Sequence, residues 1–212
     1  IFISEVVFLA RLKNKENEIL AAAIDIFFKK GFSGTNMQDI ADKAQIGKGT
    51  IYEYFRSKDD LFVQALKYDH RNFTMNANQK ISQEESFLKK LGKLIELTEH
   101  AVIERAGRIS YYIANEISEL NPEAKRDLED FIKDIKRNGR NITYNILKQG
   151  IEEGEVRHTG IDIDFATNVI GGMVALHCHR TCHENYYSVE QRREENEKLI
   201  NFIMDGIGAK KN

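Results

Sequence analysis

Apolar residues recur at helical spacing along most of the chain, and this pattern predicts a protein built from α-helices. The first clear stripe lies within residues 17–30, where one broad face carries Ile19, Leu20, Ala23, Ile24, Phe27 and Phe28. Two lysines and Gly31 then mark the end of this helix, since glycine favours the residue that follows a helix. With one proline and long runs rich in Glu, Lys, Ile and Leu, the whole chain is expected to be all-α.

Two short helices separated by a turn are predicted next. Thr35 and Gln38 have the spacing of a capping box, which predicts a helix start there. The letters QIG at 45–47 interrupt the pattern. Lys48 then opens a second short helix, in which Ile51 and Phe55 lie one turn apart and face inward. This arrangement predicts a helix-turn-helix.

Further helix starts follow from cap residues. Ser57 and Asp60 form a second capping box, which begins a third helix of the domain at Lys58. Asn121 and Pro122 predict the start of a long helix, with Asn at the cap and Pro at the first helical position. The same reasoning predicts starts at the capping box of Ser82 and Glu85, near Ile161 and at Ser188, and turns at Gly150, Gly154 and Gly160.

The second short helix has a polar face that suits DNA. Once its apolar residues are buried, the outward face carries Lys48, Thr50, Tyr52 and Tyr54. A cation, a hydroxyl and two phenols can hydrogen-bond phosphates and base edges in a major groove. A solvated face on a small helical bundle is the alternative interpretation of these residues.

The run IADKAQIGKGTIYEYFRSKDDLF resembles the DNA-binding domain of TetR-family transcriptional regulators. The resemblance covers about the first third of the chain and rests on Thr35, Ile40, Ala41, Ala44, Ile46, Gly49, Ile51, Tyr52, Phe55, Lys58 and Leu61. One residue departs from the family pattern, because Gln45 occupies a turn position where glycine is usual. If that turn needs a positive φ, the glutamine costs stability.

The resemblance implies roles for individual residues. It implies phosphate contacts by Thr35 and Tyr52, a contact with the DNA backbone by Lys58, and positions near the bases for Lys48, Thr50 and, as a second reader, Gln38. Together with Tyr54 on the same face, these residues form the predicted DNA-binding set. We therefore predict a DNA-binding domain over residues 13–60 and a helical effector-binding and dimerisation domain over 61–212.

The last two long helices carry apolar stripes. One stripe consists of Phe165, Val169, Gly172, Met173 and Leu176, and the other of Leu199, Ile200, Ile203 and Ile207. The resemblance implies that these helices form a homodimer through a four-helix bundle. Packing inside a single chain is the alternative.

Charge and composition narrow the function. The net charge is −2, so the whole chain does not bind nucleic acid through its charge, yet residues 44–58 hold three basic side chains against one acidic. No apolar run is long enough to span a bilayer. A signal peptide is not expected from residues 1–12, and two cysteines on one helical face fit a reducing, cytoplasmic setting.

We expect a dimeric regulator of transcription that binds a near-palindromic double-stranded operator DNA and is released from it by a small-molecule effector, and the resemblance favours a repressor over an activator. No catalytic motif stands out, so an enzyme is not expected, and no cofactor is predicted. Speculative effector contacts are Tyr111, Tyr112 and Asn115.

A metal- or redox-responsive regulator is the alternative, because imidazoles and thiols cluster near residue 180. The speculative metal ligands are Cys178, His179, Cys182 and His183, beside His177. Two pairs at a spacing of four residues lie in different directions on one helix, so a complete site needs a further ligand from elsewhere. Buried thiols and solvated imidazoles without metal are the competing interpretation.

Overall fold

The computed structural model describes residues 2–103, 117–157, 159–183 and 187–208, and within them the chain is helical almost throughout. The helices are α1 (Phe2–Lys30), α2 (Met37–Ala44), α3 (Lys48–Tyr54), α4 (Lys58–Ser82), α5 (Phe87–Ala101), a 3-10 helix (Ile117–Glu119), α6 (Pro122–Glu152), α7 (Ile163–His183) and α8 (Val189–Ile207). In these ranges the β pairing is confined to one isolated antiparallel bridge between Val156 and Gly208. The predicted all-α fold, with an N-terminal helix-turn-helix, is confirmed.

The described chain divides into two compact units. Residues 2–73 and 117–133 form the first, and residues 74–103, 134–157, 159–183 and 187–208 form the second. Both α4 and α6 contribute to each unit. The predicted boundary between residues 60 and 61 falls inside the first unit, and the functional domains remain a prediction.

Aromatic side chains form the centre of the first unit. The rings of Phe27 on α1 and Phe62 on α4 meet edge to face with centroids 4.9 Å apart, and Phe32 lies 5.1 Å from Phe62. Ile40 and Ile51 bring α2 and α3 onto the same core. Edge-to-face aromatic pairs add about 0.5–1.5 kcal/mol beyond the area they bury. The predicted apolar stripe of α1 therefore holds the helix-turn-helix in place.

Three predicted helix starts need correction. The first helix begins at Phe2 instead of near Asn17. The cap of α2 is Asn36, whose side chain accepts the N–H groups of Gln38 and Asp39. The cap of α5 is Ser86, because the chain stays helical through Ser82 at the end of α4. In both cases a residue close to the predicted one, with the same capping chemistry, caps the helix. The tertiary structure decides which of the two residues lies at the helix start.

Two other predicted helix starts are confirmed. The side chain of Asn121, in the first unit, accepts two N–H groups at the start of α6, and Ser188 caps α8 with a full capping box. Near the end of α6, a Cβ added at Gly150 would lie 2.6 Å from the Phe87 ring, so α5 and α6 meet there at a distance that only glycine allows.

Within the described residues, no helix is long and apolar enough to cross a membrane.

Candidate DNA-binding surface

The turn between α2 and α3 depends on a left-handed residue. Gln45 has φ 55° and ψ 46°, and the following N–H, that of Ile46, donates to the carbonyl of Ala41 at 3.0 Å. This hydrogen bond ends α2 and turns the chain into α3. The predicted positive φ is confirmed, so the glutamine carries a conformational cost that glycine would avoid.

Helix α3 presents one apolar and one polar face. Ile51 and the C-cap residue Phe55 are buried, as predicted from their spacing. Lys48 is exposed and the Tyr52 side chain is 49% exposed, while Thr50 is half-buried. Tyr54, which belongs to the same predicted set, is also half-buried. The fold therefore leaves a cation, a hydroxyl and a phenol at the surface of α3.

Gly49 lies on this helix without a packing reason. A Cβ added there would meet nothing within 4 Å, in contrast to the crowded Gly150. A glycine inside a helix costs roughly 1 kcal/mol relative to alanine. The position of Gly49 therefore leaves open space on the surface of α3.

The two predicted contact residues near the start of α2 differ in their environments. Gln38 is exposed, and its amide donates to Asp42 Oδ1 at 2.7 Å. Thr35 is only 3% exposed, and its hydroxyl donates to the Gly31 carbonyl at 2.6 Å. The structure therefore leaves Gln38 accessible to a base edge, whereas the Thr35 hydroxyl stabilises the loop after α1.

Lys58 has a structural role that the sequence analysis missed. Its ammonium group donates to the carbonyls of Phe32 and Thr35 at 2.8 and 3.0 Å and lies 4.2 Å from the centroid of the Phe32 ring. These contacts join the start of α4 to the loop after α1. A phosphate contact by Lys58 would compete with them, so the predicted role is not favoured in this conformation.

Most cations around the helix-turn-helix are already paired with carboxylates of the same unit. Lys30 lies 2.8 Å from Asp39, and Lys43 lies 3.2 Å from Asp25. The pKa of Asp39 is lowered, first by its hydrogen bond with Lys30 and then by the N–H of Asn36. In the part of the chain that the structure describes, Lys48 has no ion pair, so its charge is available to a phosphate.

Comparison with known proteins now places this arrangement in a family. The family profile described as "Bacterial regulatory proteins, tetR family" matches residues 19–65, which span the C-terminal part of α1, the helix-turn-helix and the start of α4. Residues 19–65 carry the DNA-binding domain of the TetR family of transcriptional regulators. The chain is thus a DNA-binding regulator of transcription and not an enzyme.

Relatives of this TetR-family regulator extend the match beyond the helix-turn-helix. The fatty acid metabolism regulator protein of Bacillus subtilis is 28% identical over 160 residues, which cover 76% of this chain and 79% of the relative. The HTH-type transcriptional repressor KstR2 of Mycolicibacterium smegmatis is 28% identical over 162 residues, which cover 74% of each protein.

Solved structures show the same fold. A putative TetR-family regulator from Mesorhizobium loti matches with a TM-score of 0.71 and 21% identity, over 93% of this chain and 98% of the other. The regulator FadR from Bacillus subtilis, solved in complex with stearoyl-CoA, matches with a TM-score of 0.61 and 22% identity, over 90% and 98% of the two chains.

The second unit of this TetR-family regulator exposes an apolar stripe on α7. The side chains of Phe165 and Leu176 are 68% and 72% exposed, and Val169 and Gly172 lie between them at helical spacing and are also exposed. The stripe predicted on α8 behaves differently. Its central residue, Ile203, is buried, so the single-chain alternative holds at that position.

The speculative ligand sites are only partly within the described residues. Tyr111, Tyr112 and Asn115 lie outside them, so the predicted effector contacts remain a prediction. The same is true of the side chain of His183.

The remaining members of the metal cluster have partners that do not favour a metal. Cys178 is buried, with its sulfur 3.7 Å from the Ile95 carbonyl, and burial raises the pKa of its thiol to about 12. Burial also raises the pKa of the Cys182 thiol. Neither thiol is poised to ionise, and a metal ligand must be a thiolate. His179 is exposed. Among the described residues, no group of three metal-binding side chains converges. The metal site therefore remains a prediction.

Proposed function

We propose that this TetR-family protein is a homodimeric repressor that binds a near-palindromic operator and leaves it when a small-molecule effector binds. The observation that carries the proposal is the polar face of α3. Lys48, Thr50 and Tyr52 are accessible there, and Gly49 opens a path for a close approach to the helix. In helix-turn-helix proteins this second helix enters the major groove.

The apolar stripe of α7 supports the homodimer. Four neighbouring positions with two large hydrophobic side chains form a face that water disfavours, and such a face marks a protein contact. A second copy of the chain supplies the matching face through two-fold symmetry. The two recognition helices would then read half-sites about 34–36 Å apart, or a multiple of that distance.

The relatives suggest the chemical class of the effector. One curated relative is named for fatty acid metabolism, and a regulator with the same fold was solved with stearoyl-CoA. We therefore propose a long-chain acyl-CoA as the effector. Its test is operator release by stearoyl-CoA, with free coenzyme A and stearate as controls, and equal release by all three or by none would contradict the acyl-CoA proposal.

Operator binding is tested with the full chain and DNA from upstream of its own gene. Fluorescence anisotropy should give tight, sequence-selective binding, and footprinting should give a near-palindromic protected site. The triple variant Lys48→Ala, Thr50→Ala, Tyr52→Ala should lose at least about tenfold in affinity, because each lost base or phosphate contact costs about 1–3 kcal/mol.

The matched control is a triple variant on the exposed side of α6: Glu129→Ala, Lys133→Ala and Lys136→Ala. It changes three polar side chains and should keep the operator affinity of the natural protein. Circular dichroism checks that both variants are folded. An unchanged affinity in the folded α3 variant would refute the proposed recognition surface.

A further inference from the structure

Arg56 occupies an unusual position between the recognition helix and α4. It follows Phe55, the residue that caps α3, and precedes Ser57, whose hydroxyl accepts the Asp60 N–H at the start of α4. The N–H of Arg56 donates to Asp60 Oδ2 at 2.9 Å, which fixes its backbone. Its side chain is 82% exposed. The residue thus combines an anchored backbone with an exposed, charged side chain.

The guanidinium group of Arg56 is held by one carboxylate. Its Nη1 atom lies 3.0 Å from Oε1 of Glu123, in the first turn of α6, and the Glu123 side chain is 73% exposed. An ion pair this exposed contributes little to stability, because water and salt screen it. Its contribution to the fold is therefore small, but it neutralises a cation beside the recognition helix.

The start of α6 is itself docked on the start of α4. The backbone N–H of Asn121 donates to Asp59 Oδ1 at 2.8 Å, and this bond sets where Glu123 lies. An open cavity beside the ion pair is lined by Ser57, Asp60, Val63 and Ala124 together with the pair itself. Because the cavity opens to solvent, the guanidinium group can leave Glu123 without a steric barrier.

We propose that Arg56 is a phosphate-binding residue that Glu123 holds in reserve. In the free protein Arg56 pairs with Glu123, and on DNA its guanidinium group exchanges that carboxylate for a backbone phosphate. The exchange is favourable because a guanidinium binds phosphate in a bidentate way and DNA carries a dense row of them. This inference rests on the proposed operator binding and adds a residue to it.

The exchange gives the first turn of α6 control over DNA affinity. Glu123 competes with DNA for a single cation, so a movement of this turn toward Arg56 weakens DNA binding and a movement away strengthens it. Lys58, by contrast, is bound to two backbone carbonyls and is not available for such an exchange. Arg56 therefore takes the role at the start of α4 that the sequence suggested for Lys58.

The test measures operator and unrelated duplex DNA binding over a range of salt, with Glu123→Gln, Arg56→Gln and the double variant. Arg56→Gln should weaken binding to both DNAs and reduce the salt slope by about one unit. Glu123→Gln should strengthen binding to both by about two- to fivefold, the size of an exposed ion pair. In the Arg56→Gln background, Glu123→Gln should change nothing.

Asp127, on α6, supplies a matched control, since it pairs with Lys67 on α4 at 3.1 Å. Asp127→Asn removes the same charge one turn further along α6 and should leave DNA affinity unchanged within twofold. The inference is overturned if Glu123→Gln behaves like Asp127→Asn, or if its gain persists without Arg56. Absence of selective binding by the natural protein would instead refute the proposed function.

Discussion

The polar face of α3 and the apolar stripe of α7 are both exposed to solvent, but their chemistry is opposite. On α3, Lys48 and Tyr52 extend into water, which solvates them well. On α7, Phe165 and Leu176 are even more exposed than Tyr52, although water solvates them poorly. The first surface is stable without a partner, whereas the second is disfavoured until it is covered.

This difference suggests when each surface is used. A solvated polar face can bind and release DNA reversibly, with an affinity that depends on salt. An apolar face favours lasting association between protein chains. We therefore expect the protein to be a dimer before it meets DNA, and the following predictions test the two surfaces against each other.

The largest effect is expected from a charge placed in the apolar stripe. Leu176→Arg should prevent dimerisation, because it puts a cation where two apolar faces meet, and it should lower operator affinity by about 100-fold through the loss of bivalent binding. Light scattering and anisotropy measure the two effects. Leu88→Arg, at an exposed apolar residue of α5, is the control and should remain dimeric. A dimeric Leu176→Arg protein would show that the stripe is not the interface.

The next prediction distinguishes Lys48, at the start of α3, from Lys58, at the start of α4. Lys58→Ala should lower the free energy of unfolding by about 1–3 kcal/mol, because two part-buried hydrogen bonds from its ammonium group to backbone carbonyls are lost. Lys48→Ala, at an exposed site, should change it by less than about 0.5 kcal/mol. Urea unfolding measures both. Equal stabilities would contradict the structural role of Lys58.

Gly49→Ala tests why the recognition helix keeps an open position. The added methyl group meets nothing in the chain, so the free energy of unfolding should rise by about 0.5–1 kcal/mol. Under the proposed binding mode operator binding should weaken, since the methyl group fills the open space beside Lys48 and Thr50. Gly139→Ala, on α6, also meets open space and should stabilise the protein without a loss of affinity. Full operator affinity in Gly49→Ala would remove the close-approach explanation.

The last effect, on stability alone, concerns the turn that orients the recognition helix. Gln45→Gly should raise the free energy of unfolding by about 1 kcal/mol, because glycine adopts the left-handed conformation without strain. Ala44→Gly, one residue earlier and still helical, should lower it by a similar amount. Thermal unfolding of the two variants checks these opposite signs, and a shared sign would contradict the conformational argument.

Local patterns predicted much of the first unit. The buried pair Ile51 and Phe55 and the cap at Asn121 were accessible from spacing and residue type, while the family resemblance pointed to the turn at Gln45. These features depend on neighbours within about one helical turn. The cap at Asn36 was missed although the Asn36–Asp39 spacing could have signalled it, because Thr35 offers the same chemistry one residue earlier.

The helical fold, the family resemblance and the polar character of α3 follow from the sequence, since each depends on periodicity or on a contiguous motif. Which polar groups are free depends on the tertiary structure. It paired Lys58 with carbonyls of a loop more than twenty residues away and brought Arg56 to Glu123, 67 positions later in the chain. It also buried Ile203 on α8 while leaving Leu176 on α7 in water. Hydrogen bonds and burial act across space, so residues with the same local pattern receive different roles once distant helices pack.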